Sequence, residues 1–317
     1  MNTPETLLQA IRQFSDEAKC REFVVAIRWP QGVECPTCGS CDVHFLEKRA
    51  LWKCRRKHTK QQFSVKANTI FEESRLGLEK WLPAMWMVVN CKNVVSSYEI
   101  ARALGITQKS AWFMAHRIRL AMQTGTFKRM GGDVEVDETF IGGRARLMHH
   151  AKRMEKIKAR GPMGKAAVMG LLERHGPAGH SRVHAKVVQD VGLRTLQSEV
   201  LDKVRTGSNL YSDAHGGYEG LAYHYHHGVI DHAEKYVDGQ IHTNSLENFW
   251  SLLKRTIKGT YVSVEPFHLF RYLDEQVTRF NHRMMDDAER FVALVKEIVG
   301  KRLTYKELIG GELRGTT

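Results

Sequence analysis

The sequence predicts a mixed α/β protein, with a small metal-bound ribbon and an all-α module ahead of a larger α/β domain. Three features carry that prediction: a Cys/His quartet near the N-terminus, apolar residues at helical spacing over 78–122, and a switch to strand-like alternation at Asp133. The 317 residues suffice for about two cores at roughly 150 residues per domain. With 42% hydrophobic and 26% charged residues, 7 Pro and 26 Gly, the composition excludes collagenous and disordered classes.

The ribbon comes first. Cys35-Pro36-Thr37-Cys38-Gly39 is a knuckle in which Gly39 lets the chain turn so that backbone amides face two thiolates. Cys54 and His58 supply a second pair, and C-x2-C with C-x3-H is a donor set for a tetrahedral, structural Zn²⁺. Cys41 and His44 compete with His58 for the fourth place. The N-terminus shows neither a basic nor an apolar leader region, so cytoplasmic, reduced thiols are expected, and metal is favoured over disulfide. Cys20 and Cys91 fall in apolar-periodic helical stretches and read as small buried hydrophobes. Strand-like 43–46 and 62–65 complete a ribbon whose surface carries Arg55, Arg56, Lys57 and Lys60. A segment this small depends on its metal to fold.

The all-α module reads as three helices. Ser96 is an N-cap, Gly105 marks a turn at positive φ, and Thr107 caps the next helix, which together give helix-turn-helix grammar. The second helix of the pair would present Gln108, Lys109, Ser110 and Trp112 to a major groove, with Arg117 and Arg119 reaching phosphates. A helical packing module without DNA contact is the alternative.

From Asp133 the pattern predicts strands at 133–143, 166–172 and 183–188, a helix at 193–204, a short strand at 209–214 and an amphipathic helix opening at 243. Alternation puts Val134 and Val136 on one face of the first strand and Glu135 and Asp137 on the other. Asp137, Asp213 and Glu247 are the acids suited to hold Mg²⁺ or Mn²⁺ for phosphoryl transfer. Each has a plainer reading: Asn244 with Glu247 fits a capping box, Asp213 a turn, and Asp137 a solvated strand position. Glu247 and Lys254 are seven residues apart, just under two turns at ~3.6 residues per turn, so one helix face offers a metal ligand and a phosphate contact. Trp250 fits both stacking on DNA and a place in the core. His215, His242 and the group His224, His226 and His227 read as surface or locally bonded histidines.

A formal charge of +13 favours a polyanionic partner. The stretch 144–165 concentrates it, with eight Lys or Arg against the single acid Glu155, and reads either as a basic loop gripping a phosphate backbone or as a solvated face. The longest apolar run, 81–89, is far below the ~20 residues of a spanning helix, so no membrane partner is expected.

The C-P-x-C-G knuckle, Ser110-Ala111-Trp112-Phe113-Met114-Ala115-His116-Arg117-Ile118-Arg119, Val136-Asp137-Glu138-Thr139-Phe140-Ile141-Gly142-Gly143, Tyr211-Ser212-Asp213 and the run His242 to Arg255 resemble the bacterial DDE-type insertion-sequence transposases of the ISXO-like group. The resemblance spans nearly the whole chain and departs only at the Cys54/His58 half of the ribbon. It implies an RNase H-like catalytic domain behind the zinc ribbon and helix-turn-helix. It further implies catalytic ions on Asp137, Asp213 and Glu247, a catalytic place for Asn244, and contact of Lys254, with Arg255 beside it, to the element end. The domains expected are a helical segment at 1–33, the ribbon at 34–75, the helix-turn-helix at 76–127, the catalytic domain at 128–285 and a helical tail at 286–317. The implied function is Mg²⁺-dependent cleavage and strand transfer on double-stranded DNA, both element ends and target, by a homodimer or higher oligomer at the nucleoid. The competing class is a non-enzymatic DNA-binding regulator descended from such an enzyme.

Overall fold

The computed structural model describes residues 3–123, 128–142, 164–230 and 241–310. The basic loop 144–165 therefore lies outside the described residues except at its last two positions. The chain divides into two compact units, Met1–Gln123 with Met284–Thr317, and Thr124–Arg283.

The first unit opens with α1 (Leu7–Gln13) and α2 (Glu17–Arg28), whose first turns are capped by the Thr6 hydroxyl and the Asp16 carboxylate. A three-stranded antiparallel ribbon follows in the order β1 (Val43–Leu46), β2 (Leu51–Cys54), β3 (Gln62–Phe63). The sequence reading omitted β2, a four-residue strand too short to establish alternation. Trp29 packs edge-on against Trp52 and Phe63 at ring-centroid distances of 5.8 and 6.2 Å, giving the ribbon an apolar backing. Helix α3 (Leu78–Asn90) is buried on every side from Trp81 to Val89, which is why its apolar run has no polar stripe.

Helices α4 (Ser97–Leu104) and α5 (Gln108–Met122) follow. Ser96 and Glu99 form a reciprocal capping box, Gly105 takes φ +63°, and the Thr107 side chain accepts from the Ser110 amide. Lys109 is exposed at the start of α5, with its ammonium 4.7 Å from the Tyr305 ring centroid. Arg117 and Arg119, expected on a phosphate-facing surface, are instead both buried, with Arg117 only 4% exposed. The Arg117 guanidinium donates to the carbonyls of Leu303, Ile70 and Glu72, satisfying loop backbone that packing has removed from water.

The second unit is a five-stranded mixed sheet with helices on both faces. Its elements run β4 (Asp133–Ile141), β5 (Ala166–Glu173), β6 (Arg182–Val188), α6 (Leu193–Lys203), β7 (Asn209–Asp213), β8 (His226–Ile230), α7 (Asn244–Gly259) and α8 (Leu269–Asn281). The spatial order is β6-β5-β4-β7-β8; the first three strands are antiparallel, while β7 runs parallel to β4 and β8 parallel to β7. The edge strand β8 holds His226 and His227, which the sequence reading left without an element. One face buries Val134, Val136, Met169 and Leu171 against Leu196 and Val200 of α6. The other buries Val168, Leu172 and Val183 against Leu246, Phe249, Trp250 and Leu253 of α7 and Leu273 of α8. Each such side chain contributes about 1.5–3 kcal/mol relative to exposure. At the β6 edge the Asn281 amide accepts from the Val183 N–H at 2.7 Å and donates to its carbonyl at 2.9 Å, satisfying the edge strand's backbone at that residue.

The chain then returns to the first unit with α9 (Asp287–Lys296) and α10 (Tyr305–Leu308). Phe291, Leu294, Val295 and Ile298 join the core that contains Phe14 and Phe23, and the Phe23 and Phe291 rings stack with centroids 5.7 Å apart. Residues 287–308 are thus a structural part of that unit, held by an apolar stripe. Among the described residues no helix is long and apolar enough to cross a membrane.

Candidate metal centres

Among the described residues two groups of His, Cys, Asp and Glu bring ligand atoms within 4.8 Å of one another, one in each unit. The first is Cys35, Cys38, Cys54 and His58. Gly39 turns at φ +69° and donates its N–H to the Cys35 carbonyl, folding the knuckle, while β2 ends at Cys54 and delivers the third sulfur. Cys35 Sγ lies 3.4 Å from His58 Nε2, and Cys38 Sγ lies 3.7 Å from Cys54 Sγ. Burial disfavours the Cys35 thiolate, but backbone N–H groups of Thr37 and Cys38 more than offset it and hold that thiol below its ordinary range. Burial pushes Cys54 up. The quartet fits structural zinc. Cys41 is exposed and His44 sits on β1; neither belongs to the group.

The second group is Asp137, Glu138 and Asp213. Because β7 pairs Tyr211 with Glu135 of β4 in parallel register, Asp213 and Asp137 each lie two residues beyond a matched pair and fall on the same face of neighbouring strands. Asp213 is the last residue of β7, so β4 loses its neighbour at this point. Glu138 belongs to the opposite face of β4 by alternation, and the gap beyond the end of β7 lets its carboxylate approach the other two. Asp137 accepts from the Trp250 indole N–H at 2.9 Å through Oδ2 and from the Glu138 amide at 2.8 Å through Oδ1. Burial, opposed by the Trp250 hydrogen bond and reinforced by the Asp213 charge, pushes Asp137 up to about 6. Burial, again with the Asp213 charge adding to it, pushes Glu138 up to about 7. Three acids that repel each other in this way are a site prepared for positive charge.

Helix α7 forms the other wall. Its N-cap, Thr243, makes no side-chain cap bond, so the capping box envisaged between Asn244 and Glu247 does not form. Instead Glu135, fully buried on β4, accepts from the Leu246 amide at 2.9 Å and pairs with Arg174 at 2.8 Å. A carboxylate at a helix N-terminus satisfies orphan amides and complements the dipole, which fixes where α7 begins. Leu246, Phe249, Trp250, Leu253 and Ile257 face the sheet. Glu247, Ser251, Lys254, Arg255 and Lys258 line, with Asp137, Glu138 and Thr139, an open cleft of about 530 Å³. Glu247 is exposed in this cleft but outside the tight carboxylate group, and Asn244 is exposed in the first turn of α7 and outside the lining. Trp250 is 4% exposed and packs over Gly170, so its indole is not a surface for stacking DNA; it holds Asp137.

Residues 129–281 match the model of the ISXO2-like transposase domain, and residues 15–59 match a transposase zinc-ribbon domain. Over residues 129–281 the chain is similar to an ISXO2-like transposase domain. A protein in transposable element ISH50 of Halobacterium salinarum is 24% identical over 264 residues, covering 78% of this chain and 85% of its own length. A transposase-like protein of Haemophilus influenzae is 26% identical over 119 residues, covering 37% of this chain and 94% of its own. A chain of the simian T-cell lymphotropic virus intasome in complex with PP2A regulatory subunit B56 gamma aligns with 63% of this chain and 69% of that one at 11% identity, with a TM-score of 0.28, too low to inform the fold.

Within residues 129–281, the sequence alone does not single out Glu138, Glu135 or Gly170. Glu135 had a signal, since alternation already placed it beside Asp137. Glu138 had none, because the same alternation assigns it to the opposite face.

Proposed function

We propose that the chain is the transposase of an insertion sequence, cleaving DNA at the element ends and joining the freed 3′-OH to target DNA. The observation that supports this reading best is the cleft of the transposase domain, with its converging carboxylates on one side and Lys254, Arg255 and Lys258 on the other. The donor set is entirely carboxylate oxygen, and Glu138 Oε1 is buried with no hydrogen-bond partner, so the residues fit Mg²⁺ or Mn²⁺. Asp137 and Asp213 would hold the ions, with Glu247 reaching from α7. Bound divalent cations supply activation of the attacking oxygen and charge stabilisation at the leaving oxygen.

The protein's own residues do the rest. Trp250 fixes the Asp137 carboxylate, and Glu135 fixes the helix that carries Glu247 and Lys254. Lys254, Arg255 and Lys258 neutralise DNA phosphates brought to the carboxylates. In this reading water and then the 3′-OH attack, and no covalent protein–DNA intermediate is expected. The mixed sheet, with its acids at an open strand end, supports the RNase H-like reading of the domain. The α4–Gly105–α5 pair, with Lys109 exposed at the head of α5, supports the helix-turn-helix reading, and the ribbon's cationic surface suits DNA as well.

The test is a strand-transfer assay with labelled element ends. Asp137→Ala is expected to bind ends and to neither nick nor join them. Lys254→Ala is expected to bind more weakly, with a salt dependence shallower by about one ion. Nicking by Asp137→Ala in Mg²⁺ removes the role of Asp137, and wild-type DNA shifts without any joining point to a DNA-binding regulator instead.

A further inference from the structure

We propose, on the reading that Asp137 and Asp213 hold a divalent cation, that Glu138 is a further ligand of the same ion, reaching it from the opposite face of β4. Glu138 is 7% exposed at its side chain, and its Oε1 is buried without a hydrogen-bond partner. An ionised carboxylate in that setting needs a compensating positive charge or donor. Among the described residues, none sets a hydrogen bond of normal geometry against Oε1. His215 Nδ1 lies 3.8 Å from Glu138 Oε1, which resembles an ion pair. However, that same Nδ1 accepts the Gly217 N–H at 3.1 Å, so its lone pair is in use and it carries no proton for Glu138. The Tyr218 hydroxyl is near enough to bias the Glu138 carboxyl, yet it too is buried without a hydrogen bond of normal geometry.

What Glu138 does face is Asp137 and Asp213. All three offer oxygens within 4.8 Å of one another, whereas Glu247 stands outside that group. Their convergence is a consequence of strand lengths: β4 runs on to Ile141 while its neighbour β7 stops at Asp213, so acids from both faces of β4 meet past the end of β7. Glu138 thereby gives the ion a third carboxylate close at hand, and Glu247 is left to a second, outer ion. Removing the Glu138 charge should weaken the inner ion; removing the Glu247 charge should not.

The experiment is Mn²⁺ binding to the zinc-loaded full chain near pH 8, followed by calorimetry and by the electron paramagnetic resonance signal of unbound Mn²⁺. Glu138→Gln is expected to weaken the tighter binding event at least ~10-fold, as Asp213→Asn does, with Glu138→Asp in between. Glu247→Gln, which removes the same charge from the same cleft, is expected to change that event less than ~3-fold. Wild-type affinity in Glu138→Gln overturns the assignment, and so does an equal loss in Glu138→Gln and Glu247→Gln, which would mark a charge effect without ligation. If Asp213→Asn also binds as wild type, the metal reading of the domain fails; if Asp213→Asn loses the ion and Glu138→Gln keeps it, only the role of Glu138 fails. Should Glu138→Gln not fold by circular dichroism, wild-type affinity in Glu138→Asp overturns the proposal in its place.

Discussion

Gly170→Ala tests whether the cleft depends on Trp250 in the way its geometry implies. Gly170 is the β5 residue registered with Asp137, and the Trp250 indole lies directly over it. A Cβ at this position would stand 2.5 and 2.6 Å from Cζ2 and Cη2 of Trp250 and 3.0 Å from Cδ1 of Leu246. Ordinary carbon contacts lie at about 3.5–4.0 Å, so the indole must retreat by about 1 Å. A retreat of that size stretches the 2.9 Å bond from the indole N–H to Asp137 beyond hydrogen-bonding range. Overpacking costs about 1–3 kcal/mol and the lost bond to a carboxylate about 1.5–3 kcal/mol, partly offset by about 0.5–1 kcal/mol for replacing Gly in a strand. The net expectation is a destabilisation of about 1.5–5.5 kcal/mol, together with weaker Mn²⁺ binding because Asp137 is no longer held. Urea denaturation of Gly170→Ala, Trp250→Phe and the double variant isolates the contact, since the smaller Phe ring leaves room for the new methyl. A coupling of at least about 1 kcal/mol is expected, with Gly170→Ala nearly harmless in the Trp250→Phe background. Additive effects within about 0.5 kcal/mol would refute the link from Gly170 through Trp250 to Asp137.

Two further outcomes are open to measurement. Asp137, raised from 3.8 to about 6, and Glu138, raised from 4.5 to about 7, bind protons more tightly in the folded state, so their contribution is complete at low pH and is lost as pH rises through 6 and 7. In Mg²⁺-free buffer without chelator the unfolding free energy of the domain, measured with urea, should therefore fall between about pH 5 and 8, by about 1–3 kcal/mol in all after allowing for solvent, and the stabilisation by added Mg²⁺ should grow with pH. A flat profile, or an Mg²⁺ effect larger at acid pH, would contradict this. At the ribbon, His58→Ala and Cys54→Ser should lose bound zinc and disturb the near-ultraviolet signal of Trp29 and Trp52, whereas Cys41→Ser should keep both; metal content by atomic emission decides, and zinc loss in Cys41→Ser would show a different ligand set.

Much of the fold was legible because its signals are local. Ser96, Gly105 and Thr107 specify caps and a turn from their own chemistry, and the alternation of β4 assigns Val134 and Val136 to one core and Glu135 and Asp137 to the other face. The Cys35, Cys38, Cys54 and His58 spacing likewise carries its own geometry. The short strands β2 and β8 were missed because a few residues hold too little periodicity to announce a strand.

The sequence by itself determined the order of the longer elements, the three cysteines of the zinc site with a short list for its fourth ligand, and the acids available for a cation. Only the tertiary structure decided which acids meet. Glu138 joins Asp137 because β7 ends where it does, Glu135 is committed to the start of α7, and Arg117 is drawn inside by loop carbonyls. Residue type and spacing along one chain fix which face of its own helix or strand a side chain takes. Where neighbouring strands stop, and which buried polar groups need a partner, are properties of the packed whole.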